Sequence, residues 1–148
     1  MNDRMMIVGC TRRKTNTAAP VLAYQLYQGG IVPALRDRLG DSPARWSAVR
    51  FLSARHGLIP ATMPLLPYNQ RLTTTRAREL RPAVQQELAT VFGHYGTPAE
   101  VLVVCEPQYL VLLADLFAIP ARPVVHWVSD VRDGWPQAAA VLDEWRWP

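Results

Sequence analysis

The sequence has few of the features that would place it in a membrane or outside the cell. Its two cysteines, Cys10 and Cys105, are too few for a disulfide scaffold and lack the four-ligand spacing of a structural zinc site. No apolar run approaches the ~18 residues that a membrane helix needs, and the amino terminus lacks the long apolar core of a signal peptide. We therefore expect a cytoplasmic protein that does not enter a membrane and that needs neither a metal nor a cofactor.

Lysine is almost absent, and the basic charge of the chain is unevenly distributed. Lys14 is the single lysine among 16 basic residues, so this position uses a small ammonium group where the chain otherwise uses arginine. Residues 1–82 hold 13 basic and 4 acidic side chains, whereas residues 83–148 hold 3 basic and 8 acidic ones. Because a basic half attracts anions, the expected partner is a phosphate-bearing nucleotide or a nucleic acid.

Short apolar runs alternate with helical patterns along the chain. Its length of 148 residues, with 49% hydrophobic residues, predicts one folded domain over residues 1–148. Strands separated by helices pair in parallel, so the pattern predicts a three-layer, Rossmann-like α/β domain with a mostly parallel central sheet. Pro82 is expected to start or kink the third helix, and residues 57–75 to form an irregular segment that covers a site. Strands are predicted at 5–9, 48–52, 101–105 and 123–128, and helices at 21–27, 31–39, 76–92, 108–117 and 137–145.

The first candidate site is the loop that follows the first predicted strand. Ligands of parallel sheets bind beyond the carboxyl ends of the strands, so chemistry is expected in this loop. Gly9 permits a tight turn, Thr11 and Lys14 follow as donors, and the backbone N–H groups complete an anion-binding loop. The alternative is that Arg12, Arg13 and Lys14 simply face water.

Two further loops place ionisable side chains after predicted strands. Ser53, Arg55 and His56 follow the second strand, where the imidazole is suited either to acid–base chemistry or to holding the loop together. Glu106 directly follows the most apolar strand, and partial desolvation there would suit it to proton transfer or to stabilising a cationic transition state. The alternative for Glu106 is a surface position that begins the next helix, because Pro107 is typical of a first helical turn.

Four blocks, in this order, resemble the DUF6884 family of bacterial and phage proteins. They are GCTRRK at 9–14, LY at 26–27, LSARHGL at 52–58 and PYNQRL at 67–72. The family patterns are Gly-Cys-x-x-x-Lys, Leu-Tyr, LSAKHGL and PYD-x-x-L, and the chain departs from the family at Arg55, Asn69 and Glu106. The family is similar to the YaaA-like group and to a domain of archaeosine synthase, which implies an α/β fold and an association with nucleobases or nucleic acids. The resemblance falls on Cys10, Thr11, Lys14, Tyr27, Ser53, His56, Gly57, Tyr68 and Tyr109.

These residues favour a nucleotide- or nucleobase-directed enzyme that hydrolyses or exchanges an N-glycosidic bond of a nucleoside monophosphate or a nucleic acid. Breaking that bond develops positive charge on the ribose and negative charge on the leaving base. Glu106 is expected to act on the sugar side, His56 to protonate the base, and Lys14 to hold a phosphate or, as the resemblance suggests, to act as a nucleophile. Tyr27 or Tyr68 is expected to stack on the base. The predicted substrate contacts are Gly9, Cys10, Thr11, Arg12, Tyr27, Ser53, Arg55, Gly57, Tyr68 and Tyr109.

The competing hypothesis is a nucleic-acid-binding module without chemistry. Aromatic residues make up only 9% of the chain, so no stacking platform is visible. Trp145 and Trp147 near the carboxyl terminus are interpreted as core residues or as an interface anchor, and a homodimer is left open. The phosphate contacts of such a module would be Arg12, Arg13, Arg36, Arg38, Arg71, Arg76, Arg78 and Arg81.

Overall fold

The computed structural model describes residues 3–118 and 123–148, and these residues form an α/β fold. The predicted alternation of strands and helices is confirmed, although several individual elements differ from the prediction. In chain order the elements are β1 (Arg4–Gly9), β2 (Val21–Leu22), α1 (Ala23–Leu26), α2 (Val32–Leu39), a 3-10 helix (Pro43–Trp46), β3 (Val49–Ser53), β4 (Gly57–Pro60), β5 (Pro64–Leu65), α3 (Thr74–Tyr95), β6 (Glu100–Val104), a second 3-10 helix (Pro107–Leu113), α4 (Ala114–Ala118), β7 (Val124–Val128) and α5 (Trp135–Glu144).

A five-stranded, mostly parallel sheet forms the centre of the fold, with the strand order β4-β3-β1-β6-β7. β1 lies between β3 and β6 and runs parallel to both, and β7 runs parallel to β6. The central strands are continuously apolar because both of their faces are covered, and residues 5–8 and 101–104 are buried. β4 is the exception, since it pairs with β3 in the antiparallel direction.

β4 is a strand that the sequence analysis did not predict. Residues 57–75 were expected to be irregular, but residues 57–60 turn back onto β3 and form an edge strand. Gly57 permits this reversal because its φ of +77° lies in the left-handed region that favours glycine. The prediction was therefore wrong for the first part of the segment, whereas residues 66–73 do lack regular structure.

Three predicted helices also differ from the structure. The segment predicted as a helix over residues 21–27 begins as β2, which pairs with β5, and only Ala23–Leu26 are helical. The helix predicted over residues 108–117 is divided into a 3-10 helix and the short α4. α3 begins where the Thr73 hydroxyl accepts a hydrogen bond from the Arg76 N–H, and it continues through Pro82, which therefore does not start the helix.

Two apolar clusters cover the sheet, and neighbouring strand residues alternate between them, as the two-residue period of a strand requires. Met6 packs in the cluster that contains α1, α2 and α5, whereas Met5 packs in the cluster that contains α3 and the second 3-10 helix. Trp145 is buried in the first cluster and Trp147 packs against it, so these tryptophans are core residues. α3 buries one stripe at helical spacing, formed by Ala77, Leu80, Val84, Leu88 and Val91.

The order of the strands creates a crevice at one edge of the sheet. From β1 the chain continues to β3 on one side, whereas from β6 it continues to β7 on the other side. The carboxyl ends of β1 and β6 are therefore neighbours whose following loops diverge, which is the position where open α/β sheets bind ligands. None of the helices within residues 3–118 and 123–148 combines the length and the apolar character that crossing a membrane requires.

Candidate functional site

Two adjoining cavities lie at the carboxyl ends of β1 and β6. The smaller cavity has a volume of about 240 Å³ and is lined mainly by aliphatic side chains and glycines. The larger cavity has a volume of about 610 Å³ and is lined mainly by polar and charged residues, with Lys14 and Arg71 among them. The loops after β1 and β6 thus form the common wall of a two-part site. The residues that line both cavities are Cys10, Thr11, Arg12, Glu106 and Tyr109.

Glu106 is the one acidic side chain that the described residues contribute to the lining of these two cavities. It directly precedes the 3-10 helix that starts at Pro107, and its carboxylate accepts a hydrogen bond of 2.7 Å from the Gln108 amide. The sequence predicted a partly desolvated carboxylate, but the side chain is exposed. Glu106 is therefore available to a molecule that occupies either cavity, and only such a molecule would shield it from water.

The Lys14 ammonium group is partly buried and holds its own loop together. Its Nζ atom donates to the carbonyl oxygens of Thr11 at 2.8 Å and Arg12 at 3.4 Å. The same atom lies 4.4 Å from the centre of the Tyr68 ring, a cation–π contact. Burial lowers the pKa of Lys14, and the nearby Cys10 opposes this shift. Lys14 thus presents a fixed, partly desolvated cation to the larger cavity.

Three hydroxyl groups form a hydrogen-bonded network beside Lys14. The Tyr68 hydroxyl lies 2.6 Å from the Ser53 hydroxyl and 2.6 Å from the Tyr27 hydroxyl. Burial raises the pKa of Tyr27 to about 12 and raises the pKa of Tyr68 as well, so both phenols are neutral at physiological pH. Tyr27 is fully buried in the core, so the predicted stacking of its ring on a substrate base is wrong.

The loop after β3 is a tight turn that directs His56 away from the cavities. The Ser53 hydroxyl accepts hydrogen bonds from the backbone N–H groups of Arg55 and His56, at 3.1 Å and 3.0 Å. The His56 ring is exposed and packs edge-on against the Tyr68 ring, with the ring centres 5.1 Å apart. Partial desolvation and the charges of Arg55 and Arg76 lower the pKa of His56. His56, Arg55 and Gly57 do not line either cavity, so the structure does not bring the predicted acid together with Glu106.

Cys10 and Tyr109 form the floor shared by the two cavities. The Cys10 sulfur lies 3.4 Å from the Tyr109 hydroxyl and accepts a hydrogen bond of 3.4 Å from the Ala54 N–H. Burial raises the pKa of Tyr109. The Thr11 hydroxyl was expected to bind phosphate, but it donates to the Arg13 carbonyl at 2.7 Å and accepts from the Gly29 N–H at 3.2 Å. Thr11 therefore stabilises the loop, and its hydroxyl proton is donated to a backbone carbonyl rather than to a ligand.

The arginines fall into two groups. Arg36 and Arg76 donate to backbone carbonyls, and Arg38 binds the last two carbonyls of the chain and the Asp143 carboxylate. These three were candidates for phosphate binding, and the structure uses them to hold the fold together. In contrast, some guanidinium groups beside the cavities form no hydrogen bond or ion pair with any described residue. These are Arg12, Arg13, Arg71 and Arg132.

Some lining residues were not among the predicted site residues. Asn69, Gln70 and Arg71 belong to the block 67–72 that carries the resemblance, and that block was the signal that could have indicated them. Gly29 and Gly30 line the smaller cavity, and a side chain at Gly30 would collide with the Val131 carbonyl. A double glycine before a helix is the corresponding sequence signal. Nothing in the local sequence indicates Arg132, because the tertiary fold alone brings it to the site.

The described residues contain no group of three or more histidine, cysteine, aspartate or glutamate side chains arranged to hold a metal ion. Comparisons with family models, with curated proteins and with solved structures find nothing that matches this chain. A function for this site therefore has to be argued from its geometry and chemistry.

Proposed function

We propose that the chain is a nucleotide-directed enzyme that cleaves or exchanges the N-glycosidic bond of a nucleoside monophosphate. One observation carries the proposal: Glu106 stands in the wall common to a cavity lined mainly by aliphatic side chains and glycines and a cavity lined mainly by polar and charged residues. A nucleotide has the same division, with a flat, largely apolar base at one end and a phosphate at the other. The bond that links base and sugar would then lie near the junction of the two cavities, beside the carboxylate.

The linings of the cavities support this orientation. The smaller cavity offers aliphatic walls such as Ile31 and Val104, together with three glycines that permit close approach of a ring. Its lining also includes Arg13 and Arg132. The larger cavity offers Lys14, Arg12 and Arg71, whose positive charges suit a phosphate. The backbone N–H groups of the loop after β1 add further donors close to the site.

The reaction balances with groups from the chain and one water molecule. The C1′–N bond breaks and its electron pair stays with the base, while positive charge develops on the ribose, where the Glu106 carboxylate stabilises it. Water attacks C1′, and its hydroxyl remains on the sugar while its proton passes to the base nitrogen. A second acceptor in place of water gives base exchange. Because His56 lies outside both cavities, the proposal does not pass the proton through it.

The proposal extends to two further predictions from the sequence, the three-layer, Rossmann-like arrangement and the resemblance to the DUF6884 family. The two apolar clusters on the sheet support a three-layer, Rossmann-like arrangement. Two of the four blocks that resemble the DUF6884 family, 9–14 and 67–72, contribute residues to the cavities. A cytoplasmic location and a homodimer remain predictions, and no observation on the described residues bears on either.

The test is to incubate the protein with AMP, GMP, CMP and UMP and to measure the release of free base by chromatography. Removing one group that stabilises the charge of a transition state typically costs about 10²–10³-fold in rate, so we expect Glu106→Gln to lower turnover by at least ~10²-fold. Lys14→Ala should abolish turnover through loss of the cation at the larger cavity. Glu144→Gln is the matched control, since Glu144 is exposed at the end of α5, far along the chain from the site. Full activity of both site variants would refute the assignment.

A nucleic-acid-binding module is the alternative, and salt separates the two functions. Arg36, Arg38 and Arg76 are engaged within the fold, which removes three of the eight candidate phosphate contacts. A module that neutralises several phosphates would lose affinity for a single-stranded oligonucleotide steeply between 50 and 200 mM salt. Such a dependence, with no base released from any nucleotide, would replace the enzyme proposal by the binding module.

A further inference from the structure

Residues 66–72, which we call the strap, form one side of the larger cavity. Asn69, Gln70, Arg71 and Leu72 face the cavity, and Arg71 adds a guanidinium group with no partner among the described residues. The strap connects β5 to the helix cap at Thr73, and most of its residues are exposed. The shape and the charge of the cavity therefore depend on where the strap lies.

Tyr68 attaches the strap to the rest of the protein. Within the described residues, its hydroxyl makes the only hydrogen bonds between the strap and the remainder of the chain, to Ser53 and to Tyr27. Its ring packs against the apolar cluster that contains Tyr27, and Leu72 packs against the other cluster. One phenol thus provides most of the specific attachment of a seven-residue segment.

The same side chain fixes the lysine of the cavity. The Lys14 ammonium lies 4.4 Å from the centre of the Tyr68 ring and also donates to the Thr11 and Arg12 carbonyls. Tyr68 itself lines neither cavity. Tyr68 therefore contacts Lys14 directly and attaches the strap that carries Arg71. It does not itself border the space that a ligand would occupy.

We propose that Tyr68 is a positioning residue whose docking between Ser53 and Tyr27 assembles the anion-binding cavity from the strap and Lys14. Affinity for an anion then depends on a hydroxyl group that the anion never touches. This replaces the sequence expectation that Tyr68 stacks on a base. The inference rests on the proposed function only in assigning an anion to the larger cavity, while the docking of the strap is independent of any reaction.

Tryptic cleavage after Arg71 reports the position of the strap directly, because a protease needs a segment that can leave the surface. Tyr68→Phe keeps the ring and removes the hydroxyl. We expect cleavage between Arg71 and Leu72 to become at least about ten-fold faster, because the substitution breaks both hydrogen bonds of the hydroxyl. Cleavage after Arg45, in the 3-10 helix Pro43–Trp46, should stay unchanged. Tyr95→Phe, at the exposed end of α3, is the matched control and should cleave as the natural sequence does.

Binding of inorganic phosphate, measured by calorimetry, provides the second readout. We expect Tyr68→Phe to weaken phosphate binding about ten-fold, and phosphate to slow cleavage after Arg71 in the natural sequence. Tyr27→Phe, which keeps the Tyr68–Ser53 hydrogen bond, should produce a smaller change in both measurements. It also tests the inference if Tyr68→Phe does not fold.

The two proposals fail in different ways. Cleavage and phosphate affinity that are unchanged in both tyrosine variants would overturn the positioning role of Tyr68. If the natural sequence binds no phosphate, the phosphate site of the proposed function is wrong, and the rate of cleavage after Arg71 still decides the role of Tyr68.

Discussion

Replacing Ser53 by alanine tests whether the hydroxyl network stabilises the fold around the site. Ser53 is fully buried, and its hydroxyl accepts two backbone hydrogen bonds, from Arg55 and His56. Because both accepted bonds use its lone pairs, its own proton is directed to the Tyr68 hydroxyl at 2.6 Å. Ser53→Ala therefore leaves the N–H groups of Arg55 and His56 without their acceptor and removes one of the two hydrogen bonds of the Tyr68 hydroxyl.

The expected loss in the free energy of unfolding depends on how deeply these three groups are buried. An unsatisfied buried donor or acceptor costs about 1–3 kcal/mol. Arg55 and His56 are exposed, so water can reach their N–H groups, and we assign the pair about 1 kcal/mol. The Tyr68 hydroxyl keeps its hydrogen bond to Tyr27, so losing the one from Ser53 contributes about 1 kcal/mol more. We expect Ser53→Ala to lower the free energy of unfolding by about 2 kcal/mol, or Tm by roughly 4–8 °C for a chain of this size.

The assay is urea unfolding followed by tryptophan fluorescence, with Ser47→Ala as the control. Ser47 is exposed, and its hydroxyl makes no hydrogen bond with the described residues, so its loss should change stability by less than about 0.5 kcal/mol. If Ser53→Ala is as stable as Ser47→Ala, the network contributes nothing to the fold, and the attachment of the strap through Ser53 must be abandoned.

Two further predictions concern positions away from the cavities. Hydrogen bonds from His126 and Arg4 lower the pKa of Glu100, so its stabilising effect is present above the ordinary carboxyl pKa and is lost as the pH falls through the lowered value. The urea midpoint should thus fall more between pH 6 and pH 3 in the natural sequence than in Glu100→Gln, and equal losses would contradict this. Gly57→Ala should cost about 1–2 kcal/mol because φ at this position is +77°. Gly93→Ala, in the interior of α3 with open space around it, should instead be neutral or stabilising in the same unfolding experiment.

Some of the residues named from the sequence do lie together, because strand ends are visible in a sequence. Gly9, Lys14 and Glu106 follow apolar runs, and parallel pairing brings the ends of such runs to one edge of a sheet. The interpretation of Tyr27 and His56 failed because a sequence does not show which way a side chain points. Tyr27 lies in the core, and His56, in the turn closed by Ser53, packs against the Tyr68 ring and lines neither cavity.

Local sequence patterns specify the apolar strands, the long amphipathic helix and the loops in which chemistry was expected, because these depend on the spacing of apolar residues and on the conformational freedom of glycine. The edge strand β4, the division of the site into two cavities and the separation of structural arginines from unpaired ones become visible only in the folded chain. These features depend on contacts between residues far apart in the chain. A residue such as Arg132 or Tyr68 acquires its role from a neighbour that no local pattern specifies.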